Sequence, residues 1–86
     1  MDHTIMLTHL DEGKVAIIKK VNLDNHTKKR LTALGLLPSS RLKVLKIAPF
    51  KGDILVDVGG RPLAISHDVA EKISVEEVEW KEFESV

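Results

Sequence analysis

The sequence predicts a mainly β domain, a small curled barrel of about five short strands with two short helices between them. Three observations carry this expectation. Apolar residues come in short runs separated by glycine, proline and aspartate turn signals. Only two stretches show helical spacing. And 86 residues leave no room for a second hydrophobic core. An open sheet of five short strands would leave its edges exposed, so the strands are expected to close on one another. The domain should span residues 1–80, with 81–86 a charged tail expected to fray.

The elements follow in order. Asp11-Glu12-Gly13 reads as a turn, and the strand 14–21 (KVAIIKKV) leaves it with apolar residues on both faces. Asn22 to Asn25 suits a turn, with Asp24 or Asn25 capping the helix 26–34. In that helix Thr27, Leu31 and Leu34 share one face, while Lys28, Lys29 and Arg30 point outward. Gly35 supplies a left-handed C-cap and Pro38 stops any continuation. The strand 41–48 (RLKVLKIA) changes parity after Val44, which predicts a β-bulge or sharp bend. A loop over 49–53 leads to a strand 54–58, and Gly59-Gly60 signals a hairpin to a short strand 63–65 behind Pro62. Ser66 caps one or two helical turns over 67–73, with Val69, Ala70 and Ile73 turned inward, and 74–80 closes as the last strand.

Composition excludes several chemistries. The chain has no cysteine, which rules out a disulfide scaffold, a thiolate metal site and a cysteine nucleophile. Neither metalloprotease nor nucleophile-elbow spacing occurs, and the five glycines all fall at turns, with no phosphate-binding loop. No enzyme is expected. No apolar run is long enough to cross a membrane, and the first residues lack the shape of a signal peptide. A soluble, cytoplasmic protein is therefore expected.

Net charge is zero but unevenly spread. Between Lys14 and Lys51 stand ten basic residues and a single acid, Asp24, whereas both flanks are acidic. Either a basic contact face results, or the segments fold together and pair their charges. Lys28, Lys29 and Arg30 form the densest cationic cluster. Aromatics amount to 3% of the chain and there is no tyrosine, which argues against nucleic acid, whose binders stack bases on aromatic strands. His67 and Glu71 stand at i, i+4 beside Asp68, a weak candidate set for a divalent ion; solvated helix residues look the same. Phe50, an aromatic in a loop next to Lys51, is a candidate contact residue.

The run Arg30-Leu31-Thr32-Ala33-Leu34-Gly35-Leu36-Leu37-Pro38 resembles the R-L-x-x-L-G-L-x-P element of FeoA-type domains. The order that follows is similar too: a strand ending Val44-Leu45, then Ala48-Pro49, Gly52-Asp53, Leu63-Ala64-Ile65 and an A-x-x-I-x-V-E close over Ala70 to Glu76. Leu7, Leu10, Gly13 and Ile17 fit the opening pattern, so the resemblance spans about residues 5–76. Two positions depart from it. Pro38-Ser39 stands where the family has Pro-Gly, and Gly52-Asp53-Ile54 where it has Gly-Asp-Pro.

The resemblance implies an SH3-like β-barrel and a non-catalytic accessory role in ferrous iron transport, docking on the cytoplasmic part of the FeoB membrane transporter. Leu31, Leu34, Gly35, Pro38, Pro49, Gly52 and Asp53 then carry structural parts of the motif. Lys28, Lys29, Arg30, Phe50 and Lys51 are the expected partner contacts. No cofactor is required by this reading; weak binding of Fe(II) or another divalent transition metal is the most it allows, and self-association is left open. The alternative is a small metal-binding sensor or carrier at His67, Asp68 and Glu71, related to the SH3-like domain of iron-dependent repressors.

Overall fold

The computed structural model describes residues 3–79. Six strands form one antiparallel sheet: β1 (Thr4–Met6), β2 (Val15–Val21), β3 (Arg41–Ile47), β4 (Ile54–Val58), β5 (Arg61–Ile65) and β6 (Ile73–Val78). Their order across the sheet is β1-β6-β2-β3-β4-β5. Two helices, α1 (Asn25–Ala33) and α2 (His67–Ala70), and a single 3-10 turn at Leu7–His9 are the other elements among the described residues.

The expected strand count was one short. β1 is three residues long, too brief to show periodicity, and becomes a strand only by pairing Thr4, Ile5 and Met6 with Glu76, Val75 and Ser74 of β6. Closure also differs from expectation. The end strands β1 and β5 are not hydrogen-bonded to each other, so the sheet curls around its core without completing the ring. Its nearly isometric envelope, 32 × 29 × 27 Å, reflects that curl. β5 begins at Arg61, with Pro62 inside it, a position open to proline because β5 is an edge strand. The second helix is shorter than expected, because Ile73 already belongs to β6. Trp80 and the tail 81–86 lie outside the described residues.

Alternation on the strands builds the core. Ile54, Val56 and Val58 of β4 are buried, as are Leu42 and Val44 of β3. The register of β3 against β4 then shifts between Val44 and Lys46, the bulge the parity change anticipates, and Leu45 is turned out to solvent. A second bulge, in β2 between Ile18 and Lys20, leaves both Lys19 and Lys20 exposed and returns Val21 to the core.

α1 shows why a sequence motif need not mean burial. Asp24 is its N-cap: the Thr27 N–H donates to Oδ2 at 3.2 Å and the Thr27 hydroxyl to Oδ1 at 2.7 Å. At the other end the Leu36 N–H donates to the Leu31 carbonyl (2.8 Å) and the Gly35 N–H to the Thr32 carbonyl (3.0 Å), a Schellman motif with Gly35 at φ +94°. A Cβ on Gly35 would stand 3.1 Å from Val58 Cγ1, so both conformation and space favour glycine. Leu31 is in the core, but Leu34, expected beside it, is 45% exposed. The reason is the cap. The helix ends at Leu34, and the left-handed turn at Gly35 sends the following residue, Leu36, into the core at 1% exposure.

Candidate functional site

Two separate surfaces carry the partner residues expected from the sequence. The first is the tip of the β3–β4 hairpin. The Gly52 N–H donates to the Pro49 carbonyl at 3.1 Å, and both residues between, Phe50 (φ +59°) and Lys51 (φ +58°), lie in the left-handed region. Two such residues make the tight turn whose twist suits a hairpin, but the conformation is usually left to glycine or asparagine. Non-glycine residues there are strained by about 1–2 kcal/mol each. Phe50 is 98% exposed, so no packing among the described residues offsets that strain. Gly52 is required for space, since a Cβ on it would stand 2.8 Å from Ala48 Cβ. The Ala48 N–H donates to the Asp53 carbonyl at 3.0 Å and closes the arm. At the arm's base, Glu12 Oε2 accepts from the Ile47 N–H at 2.8 Å.

The second surface is α1 with the β-strand beside it. Lys28 and Lys29 border a shallow depression with Asn25 and Thr32. Arg30 lies on another side of the helix, in a groove of about 210 Å³ with Leu34, Leu63, Ala64 and Val69. Leu34 and Leu63 also line a neighbouring depression with Val58, Arg61 and Pro62. Val58 and Arg61 in turn line a wider one of about 670 Å³ with Leu37, Ser39, Arg41 and Asp57, so the three adjoin through shared walls. Phe50 and Lys51 line none of these depressions. Gly35 packs on Val58, at the end of β4 away from the 49–52 turn. The expected contact residues thus lie on two elements, α1 and the 49–52 turn, at different ends of β4.

Charge pairing is partial. Lys14 reaches Glu77 at 3.7 Å and Lys19 reaches Glu76 at 3.4 Å across β2 and β6. Lys28, Lys29, Arg30, Arg41 and Arg61 make no ion pair among the described residues. Arg41, Asp57 and Arg61 gave no signal in the sequence, because only the folded sheet brings these residues of β3, β4 and β5 to the walls of one depression. Glu12 likewise looked like an ordinary turn residue.

The candidate metal residues meet only in part. His67 Nε2 stands 3.4 Å from Glu71 Oε2, the i, i+4 geometry expected. Asp68 does not join them, and among the described residues no group of three metal-ligating side chains comes together. Among the described residues the titration of Asp24 is clearly shifted: hydrogen bonds from the Thr27 hydroxyl, then from the Thr27 N–H, hold its carboxyl below the usual carboxylate range.

Comparison with known proteins places this geometry. The family model for the FeoA domain matches residues 5–77. The chain belongs to the FeoA family. A relative in Methanocaldococcus jannaschii, named "Putative Fe(2+) transport protein A", is 31% identical over 74 residues, covering 86% of this chain and 88% of its own. The solution structure of the FeoA protein from Chlorobium tepidum superposes with a TM-score of 0.81 at 32% identity, over 87% of this chain and 71% of that one. A crystal structure of an iron uptake regulatory protein (FeoA) gives 0.77 at 25% identity, over 87% and 97%. The same SH3-like fold recurs in a manganese-dependent transcriptional repressor, at a TM-score of 0.82, 20% identity and 44% of that longer chain. That likeness is one of fold. FeoA membership associates the chain with ferrous iron transport. No helix among the described residues is long and apolar enough to cross a membrane.

The FeoA pattern also explains a strained position. Ser39, standing where the family has glycine, adopts φ +79°. The chain keeps the left-handed turn with a side chain in place.

Proposed function

We propose that this FeoA protein is a non-catalytic, cytoplasmic accessory of ferrous iron transport that docks reversibly on the cytoplasmic part of a FeoB-type membrane transporter. The observation that carries the reading is Phe50, an aromatic side chain 98% exposed on a turn whose backbone is strained to present it. Strain without an intramolecular return concentrates at functional sites, and exposed aromatics are frequent interface anchors. Lys51 beside it, with Lys28, Lys29 and Arg30 on α1, supplies steering charge that raises the encounter rate with an acidic partner. Docking needs no resident metal in this reading; a divalent ion at His67 and Glu71 has two ligands and is held weakly.

The test is titration calorimetry of the purified protein against the isolated cytoplasmic part of a FeoB transporter. Phe50→Asn keeps a residue that tolerates the left-handed region and removes the aromatic ring. The expected result is a loss of affinity of tenfold or more with an intact fold. Equal affinity of the variant and the unsubstituted protein removes Phe50 from the interface, and no binding by the unsubstituted protein refutes docking.

A further inference from the structure

The groove that runs from α1 across the β4–β5 turn is cationic and apolar together, in a chain whose total charge is zero. Arg30, Arg61 and Arg41 follow one another along it, interleaved with Leu34, Leu63 and Leu37. Asp57 is the only carboxylate among its described lining residues. Leu34 and Leu37 are 45% and 37% exposed, an apolar surface next to charge. None of the three guanidinium groups is in an ion pair among the described residues. Arg41 and Asp57 wall the same section without meeting: Arg41 Nε and Asp57 Oδ1 are both shielded from solvent and both lack a hydrogen-bond partner. Shielded polar atoms of this kind are nearly always satisfied in native proteins; these two are left unpaired by the other described residues.

We infer that the groove binds an acidic, extended stretch of a partner protein that carries an aliphatic or aromatic side chain among its carboxylates. The inference rests on the docking reading above and deepens it by assigning that stretch to the transporter's cytoplasmic part. Charge complementarity selects the occupant. Arginine forks match carboxylates in bidentate geometry, three of them stand against one acid, and the leucines between them receive the apolar side chain. A nucleic acid strand would want the same cations, but the described walls of this groove offer leucines and no aromatic ring on which a base could stack.

The test uses two fluorescein-labelled synthetic octapeptides, one alternating glutamate and leucine, the other glutamine and leucine, followed by anisotropy and by amide NMR. The acidic peptide is expected to shift amides of residues 34–41 and 57–63. Its affinity should fall roughly tenfold when salt rises from low to high ionic strength. Arg41→Gln with Arg61→Gln should weaken it about tenfold, and Asp57→Asn should strengthen it about twofold by removing a like charge. Arg61→Gln alone, at an exposed position, repeats the test if the double variant does not fold. Equal binding of the glutamine peptide, or shifts confined to other residues, overturns the inference. Each variant is also titrated with the transporter part. Full affinity there, despite loss of the acidic peptide, overturns the assigned occupant and leaves docking standing. Failure of the unsubstituted protein to bind the transporter part, with the acidic peptide still bound, refutes docking and the assignment that rests on it.

Discussion

Glu12 Oε2 accepts a hydrogen bond from the Ile47 N–H at 2.8 Å, joining a turn before β2 to the far end of β3, 35 residues away. β2 pairs with β3 only over Arg41 to Lys43. Beyond them Val44 exchanges two backbone bonds, its carbonyl accepting from the Gly13 N–H at 2.8 Å and its N–H donating to the Lys14 carbonyl at 2.9 Å. Further out the Glu12 side chain holds the edge of the β3–β4 arm at Ile47. The arm that presents Phe50 is thus tied down at its base by a carboxylate.

Removing that tie should loosen the arm locally. Glu12→Ala is expected to cost about 1 kcal/mol, the net worth of one charge-assisted hydrogen bond at an exposed site. Native-state hydrogen exchange should show the Ile47 amide exchanging roughly fivefold faster, with the amides of β2 and β6 unchanged. Unchanged protection at Ile47 would mean that the bond does not persist in solution.

Phe50→Asn should stabilise the fold while weakening docking. Asparagine tolerates the left-handed region better than phenylalanine, and no packing is lost at a side chain 98% exposed. A gain of about 1 kcal/mol, or a Tm rise of about 4–8 °C, is expected by calorimetry. A lower Tm would show that the ring packs on the chain in solution.

Ser39→Gly should also stabilise. The residue sits at φ +79°, and relief of the left-handed strain outweighs the larger entropy of an unfolded glycine. Urea unfolding should give a net gain of roughly 0.5–1 kcal/mol with an unchanged m-value. A loss would indicate that the Ser39 side chain makes a compensating contact.

Leu34 and Leu36 should behave in opposite ways. Leu36→Ala opens a cavity in the core and is expected to cost about 2–4 kcal/mol. Leu34→Ala removes a side chain that is 45% exposed and should cost under about 1 kcal/mol. Similar losses for the two would contradict the cap geometry at Gly35.

Acid sensitivity follows from Asp24. Its folded carboxyl binds a proton less readily than the unfolded one, so protonation favours the unfolded chain. The contribution is complete well above the ordinary value of 3.8 and is lost as pH falls below it, through the lower folded value. Asp24→Asn keeps a neutral cap and lacks this dependence. The stability difference between the two proteins, measured by urea unfolding, should therefore narrow between about pH 5 and pH 2. A constant difference over that range would show that the shift is absent.

Much of this was legible in the chain. The Asp24 cap, the Gly35 stop, the β3 bulge and the Gly59-Gly60 hairpin each follow from a local rule about backbone conformation or alternation, and the structure contains them all. The motif order from Leu7 to Glu76 was enough to indicate the family. Illegible features were those in which distant segments meet. β1 exists only against β6, Leu34 lost its core place to Leu36 through the geometry of the cap, and the Arg30–Arg61–Arg41 groove needs residues of α1, β3, β4 and β5 brought to adjoining walls.

By itself, then, the sequence determined the local conformations: which residues turn, cap, bulge and alternate, because these depend on a few neighbouring side chains and their allowed dihedral angles. Tertiary structure alone decided which charges pair, which leucines remain at the surface, and that the Phe50 arm and the α1 cations form separate surfaces. Those outcomes depend on distances between segments far apart along the chain, and hydrophobic burial sets such distances collectively.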